Sequence, residues 1–141
     1  MPTLTHIKEA RKRLRGTWRS DRTRTVANWV FPKRLAAKKY KWFASIFGKN
    51  TWHFVLKLCS SSFENRTAIG PYKILWANEY SAVVLFTDKE REKCHHLFFD
   101  GDHFYLVAGR AGNAEYFKRM PSNRSLQKRT RRKRRAAELT R

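Results

Sequence analysis

From Thr51 onward, apolar side chains recur at every second residue. Trp52, Phe54, Leu56 and Leu58 alternate with His53, Lys57 and Cys59. A period of two belongs to a half-buried β-strand, because successive side chains leave opposite faces of the pleat. The rhythm continues in weaker form over Phe63 to Ala68, where Gly70-Pro71 reads as a stop, and returns in Tyr72, Ile74 and Trp76. It resumes over Ala82 to Thr87, His95 to Phe99, His103 to Ala108 and Ala114 to Met120. Asp100-Gly101-Asp102 between two of these runs is a hairpin signal, since glycine accepts positive φ without steric cost.

Seven such runs in succession, joined by short turns, describe an antiparallel meander. A meander of this length exposes two unpaired edges unless it closes on itself. An earlier short strand, Gly16 to Ser20, supplies the eighth stave. The expected fold is therefore mainly β with short α elements: an antiparallel up-and-down β-barrel of about eight strands. An open sheet wrapped on a helix is the competing architecture.

Before the meander the period is helical. Leu4, Ile7, Ala10 and Leu14 share a face, giving a basic N-terminal helix within residues 1–15 that stops at Gly16. Asp21 is a candidate cap for a helix over Arg22 to Val30, which Pro32 breaks. Lys33 to Phe47 then gathers Leu35, Trp42, Phe43, Ile46 and Phe47 on one side, before Gly48. The organisation is a basic helix over 1–15, a barrel domain over 16–120 with a helical insertion over 21–48, and a basic tail over 121–141. Like charges repel, and the tail has no apolar stripe, so it is expected to be unstructured alone.

The charge is distributed unevenly. Residues 1–49 carry 14 Lys and Arg against two acidic residues, a net +12; residues 50–120 carry nine against eight, a net +1; residues 121–141 carry nine against one, a net +8. The strand-rich part is electrically ordinary, and the rest supplies the +21 field. Such a field attracts polyanions. Three basic clusters are candidates: Arg11, Lys12, Arg13 and Arg15; Lys33, Arg34, Lys38, Lys39 and Lys41; and Arg129, Arg131, Arg132, Lys133, Arg134 and Arg135. Trp42, Tyr40 and Tyr116 are candidates to stack on unpaired bases.

With Gly16-Thr17-Trp18 opening the first strand, residues 14 to 120 resemble the calycins, the superfamily of lipocalins, fatty-acid-binding proteins and avidins. The resemblance implies an up-and-down barrel in which the Gly-x-Trp packs across the closed end against an Arg at or just after the last strand. Gly16 and Trp18 match the first part, and Arg119 is the partner so implied. A helical insertion directly after the first strand is similar to the fatty-acid-binding branch. Independently of any family, a Trp at a closed end buries a large area and stacks under a guanidinium.

A barrel of eight strands is just wide enough for its own side chains or one small ligand. Trp52, Phe54, Leu56, Tyr72, Ile74, Trp76, Phe98 and Phe104 are the candidate lining of an apolar-ligand cavity, with Tyr72, Arg119 or a His for polar contact. Cys94, His95, His96, Asp100, Asp102 and His103 raise a metal reading. His95 and His96 point to opposite faces of a strand, though, so no metal site and no cofactor are expected. Cys94 has no histidine held within hydrogen-bond reach, and no phosphate-cradling loop occurs, so no enzyme is expected. No apolar run reaches the roughly 18 residues of a membrane span, and Met1 to Leu14 lacks a secretory apolar block, which places the chain in the cytoplasm. The leading expectation is a non-enzymatic protein that associates with polyanions, nucleic acid first. The alternatives are a small apolar-ligand carrier whose basic ends only localise it, and a protein- or membrane-docking module acting through residues 33–47.

Overall fold

A computed structural model describes residues 4–89, 91–108, 112–121, 132 and 134–138. Helix α1 (Leu4–Leu14) precedes strand β1 (Gly16–Ser20), followed by α2 (Arg22–Asn28) and α3 (Ala37–Ile46). The remaining strands are β2 (Asn50–Phe54), β3 (Leu58–Phe63), β4 (Arg66–Ala77), β5 (Ser81–Asp88), β6 (Arg91–Asp100), β7 (His103–Ala108) and β8 (Asn113–Arg119). Each pairs antiparallel with the next, and β8 returns to β1, so the eight strands form a closed up-and-down barrel without edges.

The closure is made by the residues facing each other across its seam. Trp18 stands opposite Arg119 in the β1–β8 ladder, and the Arg119 guanidinium lies over the Trp18 ring, 4.3 Å from its centroid. Arg119 also donates to the carbonyls of Arg13 and Arg15, and Trp18 Nε1 donates to Leu14 O at 2.8 Å. These are the carbonyls that an α-helix leaves unsatisfied at its C-terminus. One Trp–Arg pair thus joins the first strand, the last strand and the end of α1. Gly16 sits at φ +123°, a backbone conformation that favours glycine, and a Cβ there would come within 3.1 Å of the Arg119 guanidinium and press on it. The apolar face of α1 completes this end, with Ala10 and Leu14 buried and Ile7 packed on the core.

Rings fill the middle of the barrel. Trp18 meets Phe104 edge-on at 4.8 Å, Phe104 stacks on Phe117 at 5.0 Å, Trp52 touches Phe54, Phe104 and Phe117, and Phe54 meets Tyr72 at 5.3 Å. Of the eight expected cavity residues, Trp52, Phe54, Tyr72, Ile74 and Phe104 do face inward and belong to this packed core. Three do not. Leu56 lies in the β2–β3 turn and is 56% exposed. Trp76 is turned outward by a register shift between Ile74 and Trp76, after which Ala77 resumes the inward position. Phe98 follows the fully buried Leu97, so it faces outward, stacked between His96 and Tyr105.

Two boundaries differ from the sequence rhythm. Trp52 to Cys59 is not one strand: the chain turns at residues 55–57, and the inward residue after the turn is Cys59, not Leu58. Gly70-Pro71 does not end a strand either, since β4 runs through both. Gly70 is there because β5 passes so close that a Cβ would sit 1.7 Å from the Thr87 carbonyl oxygen. Pro71 lies exposed at the end of the β3–β4 ladder, opposite Leu58.

Two stability effects follow from this packing. Trp18→Ala leaves a void at the seam and is expected to cost about 3–5 kcal/mol in urea unfolding; a loss below about 1 kcal/mol would show that Trp18 does not hold the seam. Gly70→Ala drives a methyl into the backbone of β5 and should cost about 1–3 kcal/mol or more. A neutral result in the same assay would mean that the two strands separate freely at that point.

Candidate polyanion interface

Between β1 and β2 the chain leaves the barrel for the α2–α3 insertion, and a set of hydrogen bonds fastens that excursion to β8. Asp21 caps α2, its side chain accepting from the Arg24 N–H at 3.1 Å, while its other oxygen meets His103 Nε2 at 2.9 Å. The backbone N–H of Tyr116 donates to the buried Thr25 hydroxyl, and the Asn113 side chain accepts from the Val30 N–H. At the far end of the excursion, the Gly48 N–H donates to Ser20 Oγ, which itself donates to Glu115. Burial pushes the Glu115 carboxyl upward, against the lowering effect of the Ser20 hydrogen bond. These contacts supply partners for the part of β8 that extends beyond its pairing with β1.

On this base the insertion builds an aromatic cluster of its own. Phe43 meets Trp29 at 5.3 Å, Phe31 at 5.7 Å and Phe47 at 5.3 Å, and Phe31 meets Tyr40 at 4.8 Å. Above it an open groove of about 460 Å³ is lined by Trp29, Phe31, Pro32, Leu35, Trp42 and Phe43, with Lys39 the single charged residue. Trp42 is 67% exposed and the adjoining Val30 71%. The sequence reading puts Trp42 and Phe43 together on one side of a helix from Lys33. The helix instead starts at Ala37, Lys33 and Arg34 occupy a turn, and Phe43 packs inward while Trp42 faces solvent.

Lys33, Arg34, Lys38, Lys39 and Lys41, on or just before α3, are all exposed, Lys39 at the groove itself, and none is in a salt bridge with a described residue. Between Arg22 and Phe63 the sequence has nine Lys and Arg and no Asp or Glu, so any neutralisation must come from acids outside the stretch. Other cations behave differently. Arg24 pairs with Asp100 and lies over the Tyr116 ring, Lys49 pairs with Glu64, and Arg19 donates to the Gly48 carbonyl.

The other sequence-derived candidates are dispersed. In the first cluster, Arg13 donates to the Glu79 carbonyl and lies over Phe99, and the Arg11 Nε is buried; Lys12 and Arg15 are exposed. Helix α1, which carries Arg11, Lys12 and Arg13, packs against β4 and β5, whereas α2 packs against β8, four and three places away around the ring. In the tail, Arg132, Arg134 and Arg135 are exposed and helical, a conformation their side chains favour intrinsically, while Arg129, Arg131 and Lys133 lie outside the described residues. Tyr116 is already covered by Arg24 and Tyr105, which leaves Trp42 and Tyr40 as the exposed rings beside the cations.

The histidines diverge: His95 faces inward against Trp52, His96 stacks outward on Phe98, and His103 serves Asp21. No group of three or more metal-ligating side chains occurs among the described residues. Nor is any helix among them long and apolar enough to cross a membrane. The chain matches no protein-family model, no curated protein and no solved structure. Trp29, Phe31 and Pro32 form one wall of the groove and were absent from the sequence-derived sites. Their signal was the apolar run Trp29 to Pro32, which reads equally well as a helix ending in a proline break.

Burial by itself would raise the Asp21 carboxyl. The hydrogen bond from Arg24, His103 beside it and the charge of Lys118 outweigh that effect and hold it below the ordinary 3.8. A carboxyl lowered by folding stabilises the protein above its unfolded value, and that stabilisation disappears as the pH falls through the folded value. The stability difference between the parent protein and Asp21→Asn should therefore be greatest near neutral pH and shrink below 3.8. Asn retains the capping oxygen, so thermal melts across this range isolate the charge; a difference that does not change with pH would refute the assignment.

Proposed function

We propose that this chain is a non-enzymatic, calycin-like barrel that carries the α2–α3 lobe as a cationic platform and associates with polyanions through it. The observation that carries the reading is the acid-free stretch from Arg22 to Phe63, on which five exposed cations, none in a salt bridge with a described residue, lie on or just before α3, with Lys39 at the groove. Arg13, Arg19, Arg24 and Arg119 are held to carbonyls, rings or carboxylates of the protein itself, and this cluster sets its exposed cations beside exposed aromatic rings, which favours it for an external anion. The calycin kinship is supported by the closed eight-stranded ring, the helical insertion after β1 and the Gly16–Trp18–Arg119 seam. Carriage of a ligand inside the barrel has less support, because Trp18, Trp52, Phe54, Phe104 and Phe117 occupy its middle.

Binding of this kind releases counterions and so weakens with salt, by about 0.7 in log–log slope per phosphate contact on a single strand. With a fluorescent oligothymidylate as the phosphate polymer, replacing Lys33, Arg34, Lys38, Lys39 and Lys41 together by Gln should lower the slope by roughly 3. Deleting residues 124–141 should reduce it by less. An unchanged slope in the five-site variant, with the tail deletion removing all binding, would place the interface in the tail and end this reading.

A further inference from the structure

We infer that the anionic surface taken by the α2–α3 platform is a lipid bilayer bearing acidic headgroups, with Trp42, Leu35 and Pro32 entering the headgroup–acyl boundary and the neighbouring cations meeting the phosphates. This rests on the polyanion reading and makes it specific.

The argument begins with the composition of the groove. Phosphate contact alone needs cations, but this lobe also leaves a large apolar group in water, Trp42 at 67% exposure, on a groove with aliphatic Pro32 and Leu35 on its wall. Contiguous exposed apolar surface with a polar rim marks an interaction site. A nucleic acid has a use for the Trp42 ring, which would stack on a base, but gains nothing from Leu35 or Pro32. A bilayer interface uses all three. Its acyl boundary accepts aliphatic groups, and its headgroup level suits an indole, which is apolar over most of its surface and polar at the N–H.

The cations agree with this occupant. Lys33 and Arg34 precede α3, Lys38, Lys39 and Lys41 lie on it, and Lys39 itself borders the groove. Long Lys and Arg stems lie along apolar surface while their heads remain in water, so cations flanking an inserted Trp reach the phosphate level without being buried. Each cation near an anionic leaflet strengthens binding by about fivefold. The same charges argue against two other occupants. A second copy would bring an equally basic lobe, and the tail of this chain is also basic, carrying nine Lys and Arg against one acidic residue after Met120.

The test uses the full chain, sedimented with vesicles of phosphatidylcholine alone or of phosphatidylcholine with phosphatidylserine, alongside the oligothymidylate titration. Binding is expected to the phosphatidylserine vesicles and to be at least tenfold weaker on phosphatidylcholine alone. Trp42→Ala removes an exposed side chain and should leave the melting temperature near that of the parent. It should weaken vesicle binding by about tenfold while leaving the salt slope of oligothymidylate binding unchanged, because the phosphate contacts remain. Oligothymidylate binding without vesicle binding would overturn the bilayer inference and leave the polyanion reading intact, as would vesicle binding that Trp42→Ala leaves unchanged. Equal binding to both vesicle types would also overturn it, since charge would then have no part. Binding to neither probe would remove the bilayer inference and the polyanion reading together.

Discussion

The Trp18–Arg119 stack is the contact on which the rest of the architecture depends. An eight-strand meander becomes a barrel only if its first and last strands find each other, and those strands are the most distant in sequence. The seam is short, Trp18 to Ser20 against Phe117 to Arg119, so its ladder hydrogen bonds are few. Arg119 compensates by acting in several directions at once. Its plane covers the indole, and its N–H groups reach the carbonyls of Arg13 and Arg15. A guanidinium can do this because its donors are fixed in one plane while its face stays free. The C-terminal end of α1 is thereby made part of the seam, and the helix covers that end of the ring.

Closing the ring through so short a seam leaves the early part of β8, paired with β7 on one side, without a strand on the side of β1. Beyond Phe117, the Tyr116 carbonyl accepts from Asp21, the Tyr116 N–H donates to Thr25, and the Asn113 side chain bonds to Val30. The insertion therefore does the work of a ninth partner strand. It is also the reason the lobe is held in place: the groove wall begins at Trp29, one residue before the Val30 anchor. Its floor ends at Phe47, one residue before the Gly48 contacts with Ser20 and Arg19.

How much of this is legible in the sequence depends on which signal each residue gives. The period-two rhythm yields eight strands, but the agreement in number hides two compensating differences. One expected strand, Trp52 to Cys59, divides at a turn that contains neither Gly nor Pro. Two others fuse across Gly70-Pro71, the most turn-like dipeptide in the region. Gly70 was misread because glycine has two uses in a strand, to end it and to admit a neighbour at close range. The sequence does not distinguish them, since the neighbour, Thr87, is 17 positions away. Trp76 and Phe98 fail for a related reason: alternation gives a face only while the register holds, and one bulge reverses it. The cationic cluster at 33–41 was visible because charge needs no partner to be read. The groove beneath it was not, because Trp29 to Pro32 and Leu35 to Phe43 come together only once the chain turns at Lys33 and Arg34.

The protein sorts its cations by chemistry. Arg13, Arg19, Arg24 and Arg119 are all engaged internally, each donating to a carbonyl or carboxylate, and three of them also cover a ring. The exposed cluster on or just before α3 is four lysines and one arginine. A guanidinium is weakly hydrated and fits several partners at once, whereas an ammonium is strongly hydrated and keeps its water unless an anion arrives. Arginine is therefore the economical residue for tying a small barrel together, and lysine for a surface that must remain solvated until it meets a phosphate. That division explains how a chain of net charge +21 folds around a core segment of net +1 without arraying its positive charge in one place. Four arginines are thus absorbed into the structure where they stand, while the lysine-rich segment of the α2–α3 lobe stays exposed and without a salt bridge to any described residue.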